Sequence, residues 1–337
     1  MPAIRRPAPL NHPSVWKGAE LAGREDWDHV LSDEEREEAN RLLVVAEPVD
    51  VVAPCLSGRL LTIRDSLEQG CGAALIHGLD VSAGSPGQWA DVFQRLASVV
   101  GTPVSQSADG QRIFSVRNAG YDQGDPRARG PNTNRRLGFH TDRCDVIGFL
   151  CLQPAARGGA NQVVSSPALF NEIGRRRPDL LQVLQQPFCY KRHNVDPENR
   201  LTHTWQPVFS VYQGQFAANF LRVLIERADA DPELPDLNDR QREALDFLES
   251  VAEEPAMQYE FSQQRGDMLF LNNWVTFHRR SAFEDHREPE RRRHILRVWL
   301  SMPNSREIDP AFAGNYGNTA AGALRGGIHG CPSGPGG

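Results

Sequence analysis

The second half of the chain is divided into short apolar segments by glycine, asparagine and proline, and this division is the strongest constraint on its fold. Apolar or β-branched runs of roughly four to eight residues between turn residues predict strands. Residues 146–152, 268–271 and 293–301 fit this pattern, and residues 208–212 and 215–219 fit a hairpin. Many short strands accompanied by helices predict an α+β protein, mainly β, with a jelly-roll core flanked by helices.

The first hundred residues carry most of the helix signals. Ser32 with Glu35 forms a capping box, which predicts a helix to about residue 43. The apolar residues of 88–100 recur at helical spacing. Further helices are predicted at 58–70, 166–176 and 237–251, and strands at 71–77, 112–117, 137–140 and 257–261.

The domain organisation follows from these elements. We expect one domain over residues 1–302, with a helical N-terminal part at 14–100 and the jelly-roll core at about 101–302. Residues 303–337 are expected to form a disordered tail, because glycine is frequent there.

Composition excludes several partner classes. The net charge is −6 and no long basic segment occurs, so a nucleic-acid partner is not expected. No apolar run reaches about 18 residues, so no membrane span is expected. The six cysteines form no CxxC pair, which favours reduced thiols in a cytoplasmic protein and argues against thiolate-held zinc. A homo-oligomer stays open.

The pair His140 and Asp142 is the main candidate for chemistry. Residues i and i+2 of a strand point to one face, so an imidazole nitrogen and a carboxylate oxygen can bind one ion. His278, on another segment, would complete a set of two histidines and one carboxylate that leaves coordination positions open. The structural alternative is a surface His–Asp hydrogen bond. His286 and Glu288 form a second pair, within a charged run typical of a solvated loop.

Arg293 and Arg297 lie four residues apart on a predicted strand and therefore share one face. A guanidinium meets a carboxylate in two hydrogen bonds and keeps its charge, so the pair suits a dicarboxylate such as 2-oxoglutarate. A surface strand of alternating charge and a phosphate-binding patch at residues 291–293 are the alternatives.

The order of these motifs resembles the taurine dioxygenase and 2,4-dichlorophenoxyacetate dioxygenase (TauD/TfdA) family over roughly residues 137–301. The matching features are Phe-His140-Thr-Asp142, the Gly158-Gly159 pair, Gly266-Asp267 before an apolar strand, Asn-Asn before His278, and the arginine pair. The resemblance implies a double-stranded β-helix, or jelly roll, with His140, Asp142 and His278 as Fe(II) ligands.

The resemblance also implies the cosubstrates 2-oxoglutarate and O₂. The keto-acid end of 2-oxoglutarate would chelate the iron, and Arg293 or Arg297 would bind its distal carboxylate; the two branches of the family differ in this, so both stay open. Asn161 occupies the place of a threonine that often assists this carboxylate. The spacing of 15 between His278 and Arg293 is longer than the taurine dioxygenase pattern.

The implied activity is oxidation, most simply hydroxylation, of an unactivated C–H bond in a small anionic or amino-acid-like metabolite, with release of succinate and CO₂. Desaturation and ring formation share the first step and stay open. The carboxylate at Asp142 favours hydroxylation over halogenation. Residues 120–136 form a polar loop on the expected substrate side, where Tyr121, Asn132, Asn134 and Arg136 are candidate contacts, as is Arg297. A non-catalytic jelly-roll binding protein and a cupin-type metalloenzyme that does not use 2-oxoglutarate stay as alternatives.

Overall fold

The computed structural model describes residues 8–121, 130–192 and 202–328, and within these ranges it contains ten α-helices and sixteen strands. The helices are α1 (Gly18–Ala22), α2 (Asp33–Arg41), α3 (Val49–Val52), α4 (Pro54–Gln69), α5 (Pro86–Val100), α6 (Ser166–Arg176), α7 (Pro178–Leu184), α8 (Arg222–Asp229), α9 (Asp239–Ala252) and α10 (Ala313–Tyr316). The strands are β1 (Asp28–Val30), β2 (Ala73–His77), β3 (Thr102–Val104), β4 (Ile113–Val116), β5 (Val146–Gln153), β6 (Arg157–Gly158), β7 (Asn161–Ser165), β8 (Phe188–Lys191), β9 (His203–Gln206), β10 (Phe209–Tyr212), β11 (Gln215–Ala218), β12 (Gln258–Phe261), β13 (Met268–Asn272), β14 (Thr276–Arg280), β15 (Phe283–Glu284) and β16 (His294–Ser301).

Two facing sheets form the centre of the protein. The major sheet has the order β1-β2-β13-β5-β16-β3, and β4 also pairs with β16. The minor sheet has the order β12-β7-β14. All neighbours are antiparallel except β1 and β2. The predicted fold class, a jelly-roll core with flanking helices, is confirmed.

The alternation of side chains along β13 shows how the layers are built. Met268 and Phe270 belong to the cluster that covers the outer face of the major sheet, together with residues of α4 and α5. Leu269 and Leu271 point the other way and pack with Trp27 and other residues between the sheets. Successive side chains of a strand face opposite sides, so the fully apolar sequence of β13 is that of a strand buried on both faces.

A second helical layer covers the other side of the minor sheet. Residues of α6, α7 and α9 form one buried cluster with Val164 of β7 and Phe277 of β14. The rings of Phe277 and Phe209 stack with centroids 6.2 Å apart. Because both sheets are backed by helices, the space between them is shielded from solvent on two sides.

The sequence placed most elements correctly but missed some boundaries. The helix expected at 58–70 begins at Pro54, and the helix expected at 88–100 begins at Pro86 after the N-cap Ser85. The strand expected at 137–140 is not formed, since His140 makes only an isolated bridge with His278. The major sheet also takes in β1 and β2 from the part expected to be helical. The single-domain division stays a prediction.

The chain after Pro303 departs most from expectation. The predicted disorder is wrong for residues 303–328, which contain α10 and the buried residues Ile308, Phe312, Tyr316 and Arg325. Glycine is frequent here because tight turns and close backbone contacts require it: Gly326 has φ of 76°, and a Cβ there would lie 2.6 Å from the carbonyl oxygen of Arg143. Residues 329–337 lie outside the described residues.

Each helix in the described ranges is too short or too polar to cross a lipid bilayer. The five cysteines of these ranges are free thiols, and four of them are buried.

Candidate metal centre

A cavity of about 520 Å³ opens between the two sheets. The major sheet contributes residues of β5 and β16 to its wall, and the minor sheet contributes residues of β7 and β14. The principal lining residues of the sheets are Phe149, Asn161, His278, Arg280, Arg293, Ile295, Arg297 and Trp299.

Strand β16 and the residue before it place two arginines in this cavity. Arg293, Ile295, Arg297 and Trp299 line it, whereas Leu296 and its even-numbered neighbours pack under the helices. This is the period of two expected for a strand. The predicted common face of Arg293 and Arg297 is therefore the cavity face.

His140, Asp142 and His278 converge at the wall of the cavity, with one ligand atom from each lying within 4.8 Å of the others. Oδ2 of Asp142 is 3.8 Å from Nε2 of His140 and 3.3 Å from Nε2 of His278. The two main chains hold each other, because His140 N–H donates to His278 O and His278 N–H donates to His140 O, both at 3.0 Å. Two imidazole nitrogens and one carboxylate oxygen thus face one point.

The protonation states suit a bound cation. Nδ1 of His140 lies 2.9 Å from Gly138 O, which favours the tautomer with a lone pair on Nε2. Burial, and then the neighbouring His278, lower the pKa of His140 to about 4. Burial alone would raise the pKa of Asp142, but Arg297 and the contact with His278 hold it below its usual value. At neutral pH the set offers neutral His140 and an ionised carboxylate, as metal binding requires.

The main chain of Asp142 is fixed by an amide side chain. Asn273 Oδ1 accepts the Asp142 N–H at 3.0 Å, while Asn273 Nδ2 donates to Cys144 O at 3.1 Å. Asn273 therefore supports the turn that carries Asp142. Its neighbour Trp274 donates from Nε1 to Asp145 Oδ1 at 2.8 Å and so supports the same turn.

Arg293 is a buried cation with spare hydrogen-bonding capacity. Its Nη1 is buried and has no hydrogen-bond partner among the described residues. Its guanidinium lies over the ring of Phe283, 5.1 Å from the centroid. Burial lowers the pKa of Arg293 to about 10, which leaves it charged at neutral pH. An unsatisfied buried guanidinium is costly unless an anion binds there.

Arg297 differs because it already has partners. Nη1 is 3.4 Å from Asp142 Oδ1, and Nε donates to Gln106 Oε1 at 2.6 Å. Its guanidinium also lies near the rings of Phe114 and Trp299. Arg297 is thus adjacent to the metal site, whereas Arg293 lies on the same face four residues earlier, just before β16 begins.

Two glutamines and an arginine of this region escaped sequence reasoning. Gln263 accepts a hydrogen bond from Asn161 Nδ2 at 3.1 Å, and Gln106 binds Arg297. Both lie in loops, where no periodicity marks them. Arg280 could have been found, because it lies two residues after His278 on β14 and pairs with Asn161 across the minor sheet.

Among the loop residues predicted to contact substrate, Arg136 lines the cavity and forms an ion pair with Glu253 at 2.7 Å. Tyr121, Asn132 and Asn134 are not among the described residues that line the cavity, although Gly130 and Pro131 of the same loop are. Residues 122–129 of the loop lie outside the described residues.

A jelly roll with two imidazoles and one carboxylate on one side of a cavity defines a class of protein, the non-haem iron enzymes that activate O₂. The donor set fits Fe(II), since Asp142 Oδ2 is buried and makes no hydrogen bond within the described ranges.

Comparison with known proteins gives the family. The sequence profile described as taurine catabolism dioxygenase TauD, TfdA family, matches residues 33–299, and the chain belongs to this family. The protein is therefore an Fe(II)- and 2-oxoglutarate-dependent dioxygenase that uses O₂. The non-catalytic alternative and the cupin-type alternative are both set aside by this membership.

Individual relatives resemble most of the chain at modest identity. FR-33289 synthase of Streptomyces rubellomurinus is 26% identical over 324 residues, covering 90% of this chain and 94% of the relative. Taurine hydroxylase-like protein SAT17 of Stachybotrys chartarum is 26% identical over 339 residues, covering 92% and 86%. The structure of an asparagine oxygenase with Fe(II), 3-hydroxyasparagine and succinate superposes with a TM-score of 0.63 at 17% identity, covering 88% of this chain and 99% of that one.

Proposed function

We propose that His140, Asp142 and His278 bind the catalytic Fe(II) and that the protein hydroxylates a small anionic or amino-acid-like metabolite. The observation that carries the metal assignment is the convergence of three ligand atoms within 4.8 Å at the wall of the cavity. When bound, Fe(II) with 2-oxoglutarate supplies the oxidation of an unactivated C–H bond by O₂, with succinate and CO₂ as coproducts.

The distal carboxylate of 2-oxoglutarate is assigned to Arg293. Its buried Nη1 can donate to an anion without losing an existing bond, whereas Arg297 already binds Asp142 and Gln106. Asn161 and Arg280 line the cavity beside it and add polar contacts at the same end. A bidentate bond to a guanidinium in a shielded site orients the cosubstrate as well as binding it.

The substrate is assigned to the other end of the cavity, near Arg297. The guanidinium of Arg297 faces the cavity beside the metal site. Its bonds to Gln106 and Asp142 use Nε and Nη1, so Nη2 can bind an anionic group, which agrees with an acidic or amino-acid-like metabolite. The asparagine oxygenase that superposes on this chain binds a hydroxylated amino acid, 3-hydroxyasparagine, together with Fe(II) and succinate. Phe149, Ile295 and Trp299 form apolar walls that exclude water from the reacting carbon.

The experiment has two stages. Anaerobic titration of the apo-protein with Fe(II) and then 2-oxoglutarate should produce a weak visible charge-transfer band that appears only when both are present. The same titration of an Asp142→Ala protein is the matched control and should lack the band. A panel of amino acids and small organic acids is then screened for succinate release, and a wild-type protein without the band would overturn the proposal.

A further inference from the structure

The family profile ends at residue 299, but the chain continues and packs against the candidate metal site. Residues 303–328, called here the C-terminal segment, run past the turn at residues 141–145 that carries Asp142. Polar contacts of Tyr316, Arg325 and Gly327 join the segment to this turn, and Arg143 Nε of the turn also donates to Asn315 O. The segment thus lies outside the matched family region and inside the surroundings of the candidate metal ligands.

Tyr316 makes the first contact. Its side chain is 2% exposed, and its hydroxyl lies 3.3 Å from Asp142 O, to which it donates. The same hydroxyl accepts a hydrogen bond from Asn219 Nδ2 at 2.5 Å. Asn219 Nδ2 is also 3.0 Å from Thr141 Oγ1, so one buried network joins Tyr316 to the residue before the ligand and to the ligand itself.

Arg325 makes the second contact through a buried ion pair. Its Nε lies 2.6 Å from Asp145 Oδ1, and the side chains of both residues are at most 1% exposed. The remaining donors of Arg325 bind main-chain oxygens of the segment itself, including Arg306 O at 2.9 Å. Breaking a buried pair leaves an uncompensated charge, so this contact holds the segment and the turn together.

Gly327 makes the third contact, and the geometry of the turn explains the glycines. The Gly327 N–H donates to Arg143 O at 2.8 Å, and Ile328 then lines the cavity. Gly326 has a positive φ, and a Cβ there would lie 2.6 Å from Arg143 O. Only a residue without a Cβ allows the segment to approach the ligand turn this closely.

We propose that the C-terminal segment completes the metal site, and that Tyr316 is a positioning residue for Asp142. The inference rests on the proposed role of Asp142 as an Fe(II) ligand. Asn273 fixes the N–H of Asp142, and Tyr316 contacts its carbonyl oxygen, so the peptide units on both sides of the ligand are held. A carboxylate on a held main chain has fewer orientations to lose when it binds the metal, which raises the affinity for Fe(II).

The segment offers an internal control for general destabilisation. Arg306 belongs to it and forms a buried ion pair with Glu68 at 2.6 Å, and its guanidinium otherwise donates to Phe216 O and Glu68 O rather than to residues 141–145. Tyr212, on the hairpin strand β10, offers a tyrosine outside the described lining of the cavity. A purely structural role of the segment would make Arg306 and Arg325 equivalent, whereas a role at the metal site separates them.

The experiment is an anaerobic Fe(II) titration of four full-length variants, Tyr316→Phe, Arg325→Gln, Arg306→Gln and Tyr212→Phe, each with its thermal unfolding curve. Tyr316→Phe should weaken Fe(II) binding about 10-fold with little change in melting temperature, since it removes only the hydroxyl. Arg325→Gln should weaken Fe(II) binding at least as much. Arg306→Gln should lower the melting temperature and leave the Fe(II) affinity of the folded protein unchanged, and Tyr212→Phe should change neither.

The outcomes separate this inference from the proposed function. If the wild-type protein binds Fe(II) and the Tyr316→Phe variant binds it with equal affinity, only the positioning role is overturned. The same conclusion would follow if Arg306→Gln weakened Fe(II) binding as much as Arg325→Gln. A wild-type protein that does not bind Fe(II) would overturn the proposed function and this inference together. If Arg325→Gln does not fold, Tyr316→Phe still decides.

Discussion

Arg297 Nη1 lies 3.4 Å from Asp142 Oδ1, so an arginine of the major sheet directly contacts the carboxylate proposed to bind iron. The arginine four residues earlier, Arg293, has a buried Nη1 without a hydrogen-bond partner in the described part of the chain. Two arginines that the sequence could not distinguish therefore have different surroundings, and different roles follow from them.

Replacing these two arginines should separate cosubstrate binding from the rest of the site. Arg293→Gln removes a buried charged donor and should weaken 2-oxoglutarate binding by about 3 kcal/mol, or roughly 100-fold. Arg297→Gln should change it only a few-fold. The charge-transfer band at increasing 2-oxoglutarate gives both constants, and exposed Arg112→Gln is the control. The assignment is wrong if the two effects are reversed.

Metal binding should depend on Asp142 and not on the other acidic cluster. Asp142→Asn keeps the shape of the side chain but removes the ionised ligand. Fe(II) affinity should therefore fall more than about 100-fold, a larger loss than is typical when a residue that only hydrogen-bonds to a metal ligand is replaced. Glu34, Glu38 and Cys55 also bring ligand atoms within 4.8 Å of one another, but Glu34 and Cys55 are exposed. Glu34→Gln should therefore leave Fe(II) binding unchanged; equal losses in isothermal titration would contradict the assignment.

Gly158 ends β6, three residues before Asn161, the first residue of β7. The φ of Gly158 is 69°, and a Cβ would lie 2.2 Å from Ala282 O. Gly158→Ala should destabilise the protein by about 3 kcal/mol or more, because it combines strain with a backbone clash. Gly214 has φ of 79° with open space around it, so Gly214→Ala should cost only about 1 kcal/mol. Urea unfolding measures both, and equal losses would exclude the clash as the cause.

Protonation of His294 should lower the free energy of unfolding of the protein in mild acid. Burial, and then Arg117, lower the pKa of His294 from 6.5 to about 4. The unfolded chain binds the proton more readily, so this contribution is complete at neutral pH and is lost as the pH falls from 6.5 towards 4. The free energy of unfolding should drop by about 2 kcal/mol between pH 7 and pH 5 from this group alone. His294→Gln should reduce the slope, and an unchanged slope would refute the account.

The sequence predicts those parts of the site that depend on strand period and residue chemistry. The common face of Arg293 and Arg297, and the candidate set His140, Asp142 and His278, needed only residue types and order. The exchange of hydrogen bonds between His140 and His278, which replaces a regular strand, depends on a contact across 138 residues of chain that no local pattern contains.

The C-terminal segment shows the opposite failure. Its glycines predicted disorder, because composition records the flexibility of a residue and not the contact that requires it. Gly326 is present where the chain passes the carbonyl of Arg143, and Arg325 is buried against Asp145, 180 positions earlier. Gln106 and Gln263 were missed for a similar reason, since loop residues acquire their roles from partners that are distant in sequence.

The alternation of side chains along β16 fixes the spacing of the groups that this strand presents to the cavity. Four residues of extended chain span about 13 Å, so the separation between the Arg293 and Arg297 backbones is set by the main chain and not by the side chains. A one-residue slip in the register of β16 would turn its even-numbered apolar side chains into the cavity and the guanidinium of Arg297 towards the helices. We therefore expect substrate preference to change through substitutions at the odd-numbered positions of β16 and in the loops at the open end of the cavity.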